Sequence, residues 1–247
     1  MKNKYLIANW KMNLLSKDIT DFSEYFKNFH SKINLGICCN FLYLEQVKKL
    51  FPKSWNIYAQ NYSEFLDGAY TGETSCLMLK DKKISHALIG HSERRNLFLE
   101  NNSKVNTKIL LGLKYDFKLI FCIGETLEQR QNNETYQVLE NQIKLGLLSV
   151  KNNEISNIII AYEPVWAINT GISATDEEIF LAVDFIKKTI KNIYPETKEA
   201  IPVLYGGSVN DKNIDVLKKI AVVDGFLVGS SSLKKEAFLN LIKKYEK

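Results

Sequence analysis

Ile158-Ile159-Ile160-Ala161-Tyr162-Glu163-Pro164 is the stretch on which the reading of the chain turns. Its apolar residues lack the in-out alternation of a half-exposed strand. They read as a strand buried on both faces, the kind found in parallel sheets covered by helices. Glu163 stands at the C-terminal tip of that run, and Pro164 withdraws a donor and ends the pairing. Similar short runs lie on both sides of it: Tyr5 to Ala8, Leu35 to Cys39, Ile57 to Ala59, Ala87 to Ile89, Leu119 to Ile123, Ile201 to Tyr205 and Gly225 to Val228.

Between the runs the period changes to that of amphipathic helices. Ile19, Phe22, Phe26 and Phe29 share one face, as do Ile179, Ala182, Ile186, Ile190 and Ile193. Thr126 with Gln129, and Thr175 with Glu178, have the spacing of a reciprocal cap on a first helical turn. Strand and helix alternating eight times, at roughly thirty-residue spacing, imply parallel strands, since each helix returns the chain to the same edge. A closed (β/α)8 barrel in one domain, residues 1–247, follows. The alternative is an open doubly wound sheet, but Asn9-Trp10-Lys11-Met12-Asn13 stands where that fold has its glycine-rich turn.

The bulk properties exclude several function classes. The net charge of +5 comes from 33 Lys and Arg against 28 Asp and Glu, with no long basic run, which argues against a nucleic-acid partner. No apolar run approaches the ~20 residues of a membrane helix. The chain enters its first strand without a charged-then-apolar leader, and its four cysteines have no ligand spacing, so a cytoplasmic protein with reduced thiols and no metal is expected.

Polar residues collect where strands end. Asn9 and Lys11, Gln60 and Asn61, His91 and Glu93, Glu125, Glu163, Ser208, and Gly229 with Ser230 all lie at or just past C-terminal tips. In a barrel these tips converge on one mouth, where active sites are built. Desolvation at its tip is expected to raise the pKa of Glu163 and make it a better proton acceptor, although a solvated loop acid has the same position. The segment beyond it, with Val165 and Trp166, is costly to expose unless it closes over something.

His91 precedes a helix start, whose N–H groups disfavour an imidazolium, so a neutral ring that donates to a carbonyl oxygen is expected; a structural histidine is the plainer reading. Lys11 has no neighbouring carboxylate in sequence and reads as a fixed cation for an anionic ligand, or as one of thirty lysines on the surface. Tyr205-Gly206-Gly207-Ser208 and Gly229-Ser230 read as small-residue turns opening the last two helices, with backbone N–H groups aimed at an anion. The polar loop Asp67 to Thr74 reads either as a mobile excursion or as a subunit contact.

Taken in order, Asn9-Trp10-Lys11-Met12-Asn13, Ala59-Gln60-Asn61, Gly72-Glu73, Ile89 to Arg95, Cys122 to Thr126, Ala161 to Ile168, Tyr205 to Val209 and Asp224 to Gly229 resemble the motifs of the triosephosphate isomerases. The resemblance spans essentially the whole chain and implies the TIM barrel fold. It also implies interconversion of dihydroxyacetone phosphate and D-glyceraldehyde 3-phosphate without metal or cofactor. By it, Glu163 matches the base, His91 the neutral electrophile, and Lys11 the cation facing an enediolate, with Asn9 beside it.

Asn169, Ser208, Gly229 and Ser230 match phosphate-binding positions. Pro164, Val165 and Trp166 match the start of a lid running to Ala174, and Tyr205 and Ser208 match its latch. Gln60, Glu93, Arg95 and Glu125 match orienting groups behind the catalytic ones. Thr71, Gly72 and Glu73 match a loop inserted beside the partner subunit's Lys11 and His91, which implies a homodimer. The chain departs from the family pattern at Asn169 and Ile172 in the lid and at Ser230 in the last turn. Two other readings stand beside this one: a non-catalytic relative that only binds sugar phosphates, and another sugar-phosphate barrel enzyme.

Overall fold

The structure, a computed structural model, describes residues 4–168 and 173–247. Eight strands form it: β1 (Tyr5–Asn9), β2 (Asn34–Cys39), β3 (Asn56–Ala59), β4 (His86–Ile89), β5 (Lys118–Ile123), β6 (Ile158–Tyr162), β7 (Val203–Tyr205) and β8 (Gly225–Val228). Each pairs in parallel with the next, and β8 returns to β1 with Tyr5 opposite Gly225, so the sheet closes into a barrel. The (β/α)8 TIM barrel is thereby observed. The seventh run starts at Val203 and not at Ile201, because Pro202 offers no N–H to a ladder.

Side-chain parity sorts the core into two parts. Ile7, Cys38, Leu88, Ile120, Cys122, Ala161, Leu204 and Leu227 fill the inside of the barrel. Their chain neighbours, such as Leu6, Ala8, Leu119, Phe121, Ile160 and Phe226, face the helices. The same period of two carries each strand's inner face up to the mouth. Two residues past Ile7 is Asn9, and two past Ala161 is Glu163, and both line the mouth cavity.

The helices form as their patterns predict. Asp176–Ile193 is one helix, capped reciprocally by Thr175 and Glu178, and it buries Ile179, Ala182, Ile186 and Ile190. Thr126 and Gln129 make the second reciprocal cap. The first helix spans Ser16–Phe26 and ends before Phe29, which still packs on the core from the following turn.

Trp10, just past β1, is buried edge-on against Phe22 and Phe51, with ring centroids 5.3 and 5.9 Å away. Burying such a ring stabilises by about 1.5–3 kcal/mol, which anchors the turn that carries Lys11. Among the described residues, no helix is long and apolar enough to cross a membrane.

Candidate active site

Lys11 adopts a left-handed φ of 52°, a conformation that costs a residue with a Cβ about 1–2 kcal/mol. Its surroundings hold it there. Its backbone N–H donates to Asn9 Oδ1 at 3.1 Å, and Gln60 Nε2 donates to its carbonyl at 2.9 Å and to that of Cys38 at 3.0 Å. The side chain then reaches across the mouth, where Nζ donates to Glu93 Oε1 at 2.7 Å. The cation therefore has a carboxylate partner, 82 positions away in sequence and so invisible to a reading of its neighbours.

Helix Ser92–Leu97 begins directly after His91, which serves as its N-cap. The ring Nδ1 accepts the Glu93 N–H at 3.2 Å. That bond uses a lone pair on Nδ1, which favours the tautomer with the ring proton on Nε2. Nε2 faces Glu163 Oε1 at 3.1 Å. Burial pushes the His91 pKa down, while the Glu163 charge and hydrogen bond lift it, and the net direction is upward. The Glu93 charge adds to the lift, and the part that comes from Glu163 depends on its ionised form.

Glu163 is 3 % exposed. Burial raises its pKa, but His91, Lys11 and the Ser92 N–H together outweigh burial, and the net direction is downward. The expectation of a net rise is corrected: sequence shows the burial but not the donors that converge on the carboxylate. Glu163 is accordingly an ionised, desolvated carboxylate at rest. Two glycines shape its place. A Cβ on Gly124 would lie 1.8 Å from the Glu163 carbonyl oxygen, and one on Gly206 would lie 2.8 Å from Glu163 Cγ.

Asn9, Lys11, His91, Glu163, Ser208, Gly229 and Ser230 line one cavity of about 340 Å³, with Gly206 and Gly207 on its wall. The two glycine turns do not open α-helices as expected. After β7 the chain loops to a helix at Ile214–Leu217, and after β8 a 3-10 turn, Ser230–Ser232, precedes the helix Lys235–Glu246. Glycine and serine mark loops and helix starts alike, so sequence does not separate the two. Backbone N–H groups of turns remain suited to an anion.

Glu125 and Arg95 do not line this cavity. Glu125 is fully buried and accepts from Tyr162 Oη at 3.2 Å and from Trp166 Nε1 at 2.8 Å. Arg130, which pairs with Glu178, lies over the Trp166 ring at 4.5 Å. Glu125 thus fastens the root of the segment beginning with Pro164 and Val165. Arg95 donates to the Gly90 carbonyl at 2.8 Å and the Cys122 carbonyl at 3.3 Å, tying the ends of β4 and β5 together.

Tyr205 is buried, and its hydroxyl sits by the backbone of Ala174, at the far end of the expected lid. Asn169 and Ile172 lie outside the described residues. Thr71, Gly72 and Glu73 form an exposed loop tip distinct from the cavity, its base closed by Ser63 N–H donating to the Thr74 carbonyl at 2.8 Å. Cys122 is fully buried, and burial together with the Glu163 charge pushes its thiol pKa well up, which keeps it protonated. Sequence reading passed over Ser92, whose N–H lies 3.4 Å from Glu163 Oε2, and over the close packing of Gly124 and Gly206; a glycine at each strand tip was the available signal.

Comparison with known proteins agrees with this geometry. The triosephosphate isomerase family model matches residues 4–245. The chain is 43 % identical to the triosephosphate isomerase of Thermodesulfovibrio yellowstonii, over 98 % of this chain and 100 % of that protein. It is 38 % identical to that of Alkaliphilus oremlandii, over 98 % and 99 %, and 40 % identical to that of Dictyoglomus thermophilum, over 98 % and 100 %. With a barrel of this topology and similarity along nearly its whole length, the chain belongs to the triosephosphate isomerase family.

Proposed function

We propose that Glu163, His91 and Lys11 carry out the family's reaction, the interconversion of dihydroxyacetone phosphate and D-glyceraldehyde 3-phosphate. The Glu163 carboxylate removes a proton from the carbon beside the carbonyl. The neutral His91 gives its Nε2 proton to the carbonyl oxygen at C2 and recovers a proton from the C1 hydroxyl, and Lys11 Nζ faces the charge that develops on the enediolate. The protonated Glu163 then returns hydrogen to the adjacent carbon, which completes the isomerisation with no net gain or loss of protons. Backbone N–H groups from Gly206 to Ser208 and at Gly229 and Ser230 hold the phosphate. Exclusion of water protects the enediolate from losing phosphate.

The observation that supports this most is the 3.1 Å approach of Glu163 to His91 within a cavity that Lys11 and both glycine turns also line. Glu163→Asp draws the carboxylate back by one methylene. Turnover with D-glyceraldehyde 3-phosphate in a coupled assay is expected to fall by about 100-fold or more, with an unchanged melting temperature. Unimpaired turnover in a folded variant would refute the choice of base.

The assembly we propose is a cytoplasmic homodimer of single-domain subunits. A slot beside Lys11 and His91, of about 230 Å³, is lined by Met12, Phe41 and Phe98, all of them exposed apolar residues. Large apolar groups left in water around a slot favour a protein partner. The exposed tip Thr71-Gly72-Glu73, braced by Phe65 stacked on Tyr70 at 3.9 Å, supplies a loop to fill the slot of a second copy. A molar mass of one chain by light scattering at micromolar concentration would refute the dimer.

A further inference from the structure

Glu163 borders a second cavity, which the reaction above does not use. This space, of about 250 Å³, lies between the loops after β4, β5 and β6, and Ser92, Asn96, Asn102, Thr126 and Gln129 are among its walls. None of Asn9, Lys11, the glycine turn after β7 or Ser230 borders it; Glu163 alone lines both spaces. Within the carboxylate, Oε1 faces His91 at 3.1 Å, and Oε2 lies 3.4 Å from the N–H of Ser92, on the wall of the second space. A cavity this large and polar has room for several waters, each needing about 30 Å³ and two to four polar partners. Asn96 is exposed at its rim, so the space communicates with solvent.

We infer that this rear cavity is a water-filled route through which Glu163 exchanges the hydrogen it has taken from the substrate with bulk solvent while the front cavity stays occupied. The inference rests on Glu163 as the base. After abstraction, Glu163 is a carboxylic acid and the substrate an enediolate. The acid passes its proton to a water at Oε2, and the resulting hydronium or a relayed neighbour returns a different proton to the carboxylate. The carboxyl group ends as it began, one hydrogen nucleus has been replaced, and no electrons change hands. The product then carries either the original hydrogen or one from solvent, in a ratio set by access through the rear space and by the rate of return to carbon.

The test runs the isomerisation of unlabelled dihydroxyacetone phosphate in D2O, with the product trapped as it forms. Proton NMR then gives the fraction of product carrying deuterium at C2. Asn96 makes no contact in the catalytic set, and two substitutions there act in opposite senses. Asn96→Phe narrows the rim and is expected to lower the deuterated fraction at least twofold. Asn96→Ala widens it and is expected to raise that fraction, with kcat/KM within twofold of the parent for both. A deuterated fraction that is unchanged in both variants at normal turnover, or that moves the same way in both, overturns the rear route and leaves the base assignment intact. If Asn96→Phe does not fold, Asn96→Ala alone decides: no increase in deuterium overturns the inference. Absence of isomerisation in the parent protein would instead remove the assignment of Glu163.

Discussion

Gly206→Ala tests whether the position of Glu163, beyond its mere presence, sets the rate. A Cβ at 206 would lie 2.8 Å from Glu163 Cγ, with Oε1 at 3.4 Å and Cδ at 3.5 Å. Relaxation to an ordinary carbon contact of about 3.5–4.0 Å requires a movement of about 1 Å. The backbone has little room to supply it. Gly206 N–H donates to the Tyr162 carbonyl at 2.8 Å, Glu163 N–H donates to the Ile123 carbonyl at 2.8 Å, and the Glu163 carbonyl already lies against Gly124. The side chain must yield, and it yields away from β7, out of its present alignment with His91.

A misplacement of about 1 Å in a reacting group costs on the order of 100-fold in rate, or about 2.7 kcal/mol of barrier. Gly206 does not have a left-handed φ, so alanine suits its backbone and the stability loss is confined to overpacking, about 1–3 kcal/mol. We expect kcat to fall by roughly 10- to 100-fold in a coupled assay, in a protein that still unfolds cooperatively in urea. A folded variant with kcat within threefold of the parent would show that the base tolerates displacement, and the reasoning from contact distances would fail.

Lys11→Met is expected to lower kcat by about 100- to 1,000-fold, the scale of losing one preorganised partner of the developing oxyanion, because it also leaves Glu93 without its cation; steady-state kinetics within tenfold of the parent would contradict it. His86, far from the mouth at the start of β4, has its pKa lowered from 6.5 to about 4, chiefly by burial and secondarily by Lys118. As pH falls through 6.5 the unfolded chain takes up a proton that the folded one refuses until about pH 4, so stability declines across that window, by about 3 kcal/mol in all. His86→Phe should flatten that slope, which urea unfolding of both proteins at pH 7 and 4.5 will read. Native Cys38 and Cys122, fully buried and with thiol pKa values pushed up, are expected to resist alkylation at pH 8 by mass spectrometry.

The barrel was legible because its evidence is local. Each strand declares itself within five or six residues, and the parity that points Ile7 inward places Asn9 inward without knowledge of any other strand. Caps such as Thr175 with Glu178 are likewise settled within one turn. What escaped depends on distant chain. Nothing near Lys11 announces Glu93, and nothing near Glu163 announces that Gly206 must lack a Cβ. The net pKa direction of Glu163 escaped for the same reason: burial is readable at a strand tip, whereas donors arriving from β1 and β4 are not.

Those long-range pairs form one connected chain, and its order has a consequence for the proposed reaction. Lys11 bonds Glu93, the Glu93 N–H bonds His91 Nδ1, and His91 Nε2 meets Glu163. At rest, then, Glu163 occupies the donor that the substrate's oxygens need. A ligand carbonyl that takes the Nε2 proton in its own hydrogen bond displaces Glu163 Oε1 and removes a partner that holds the carboxylate's pKa down. The base becomes stronger when, and only when, a carbonyl is in place for it to act beside. In an unliganded site the same contact keeps the carboxylate hydrogen-bonded, which helps it stay ionised at 3 % exposure.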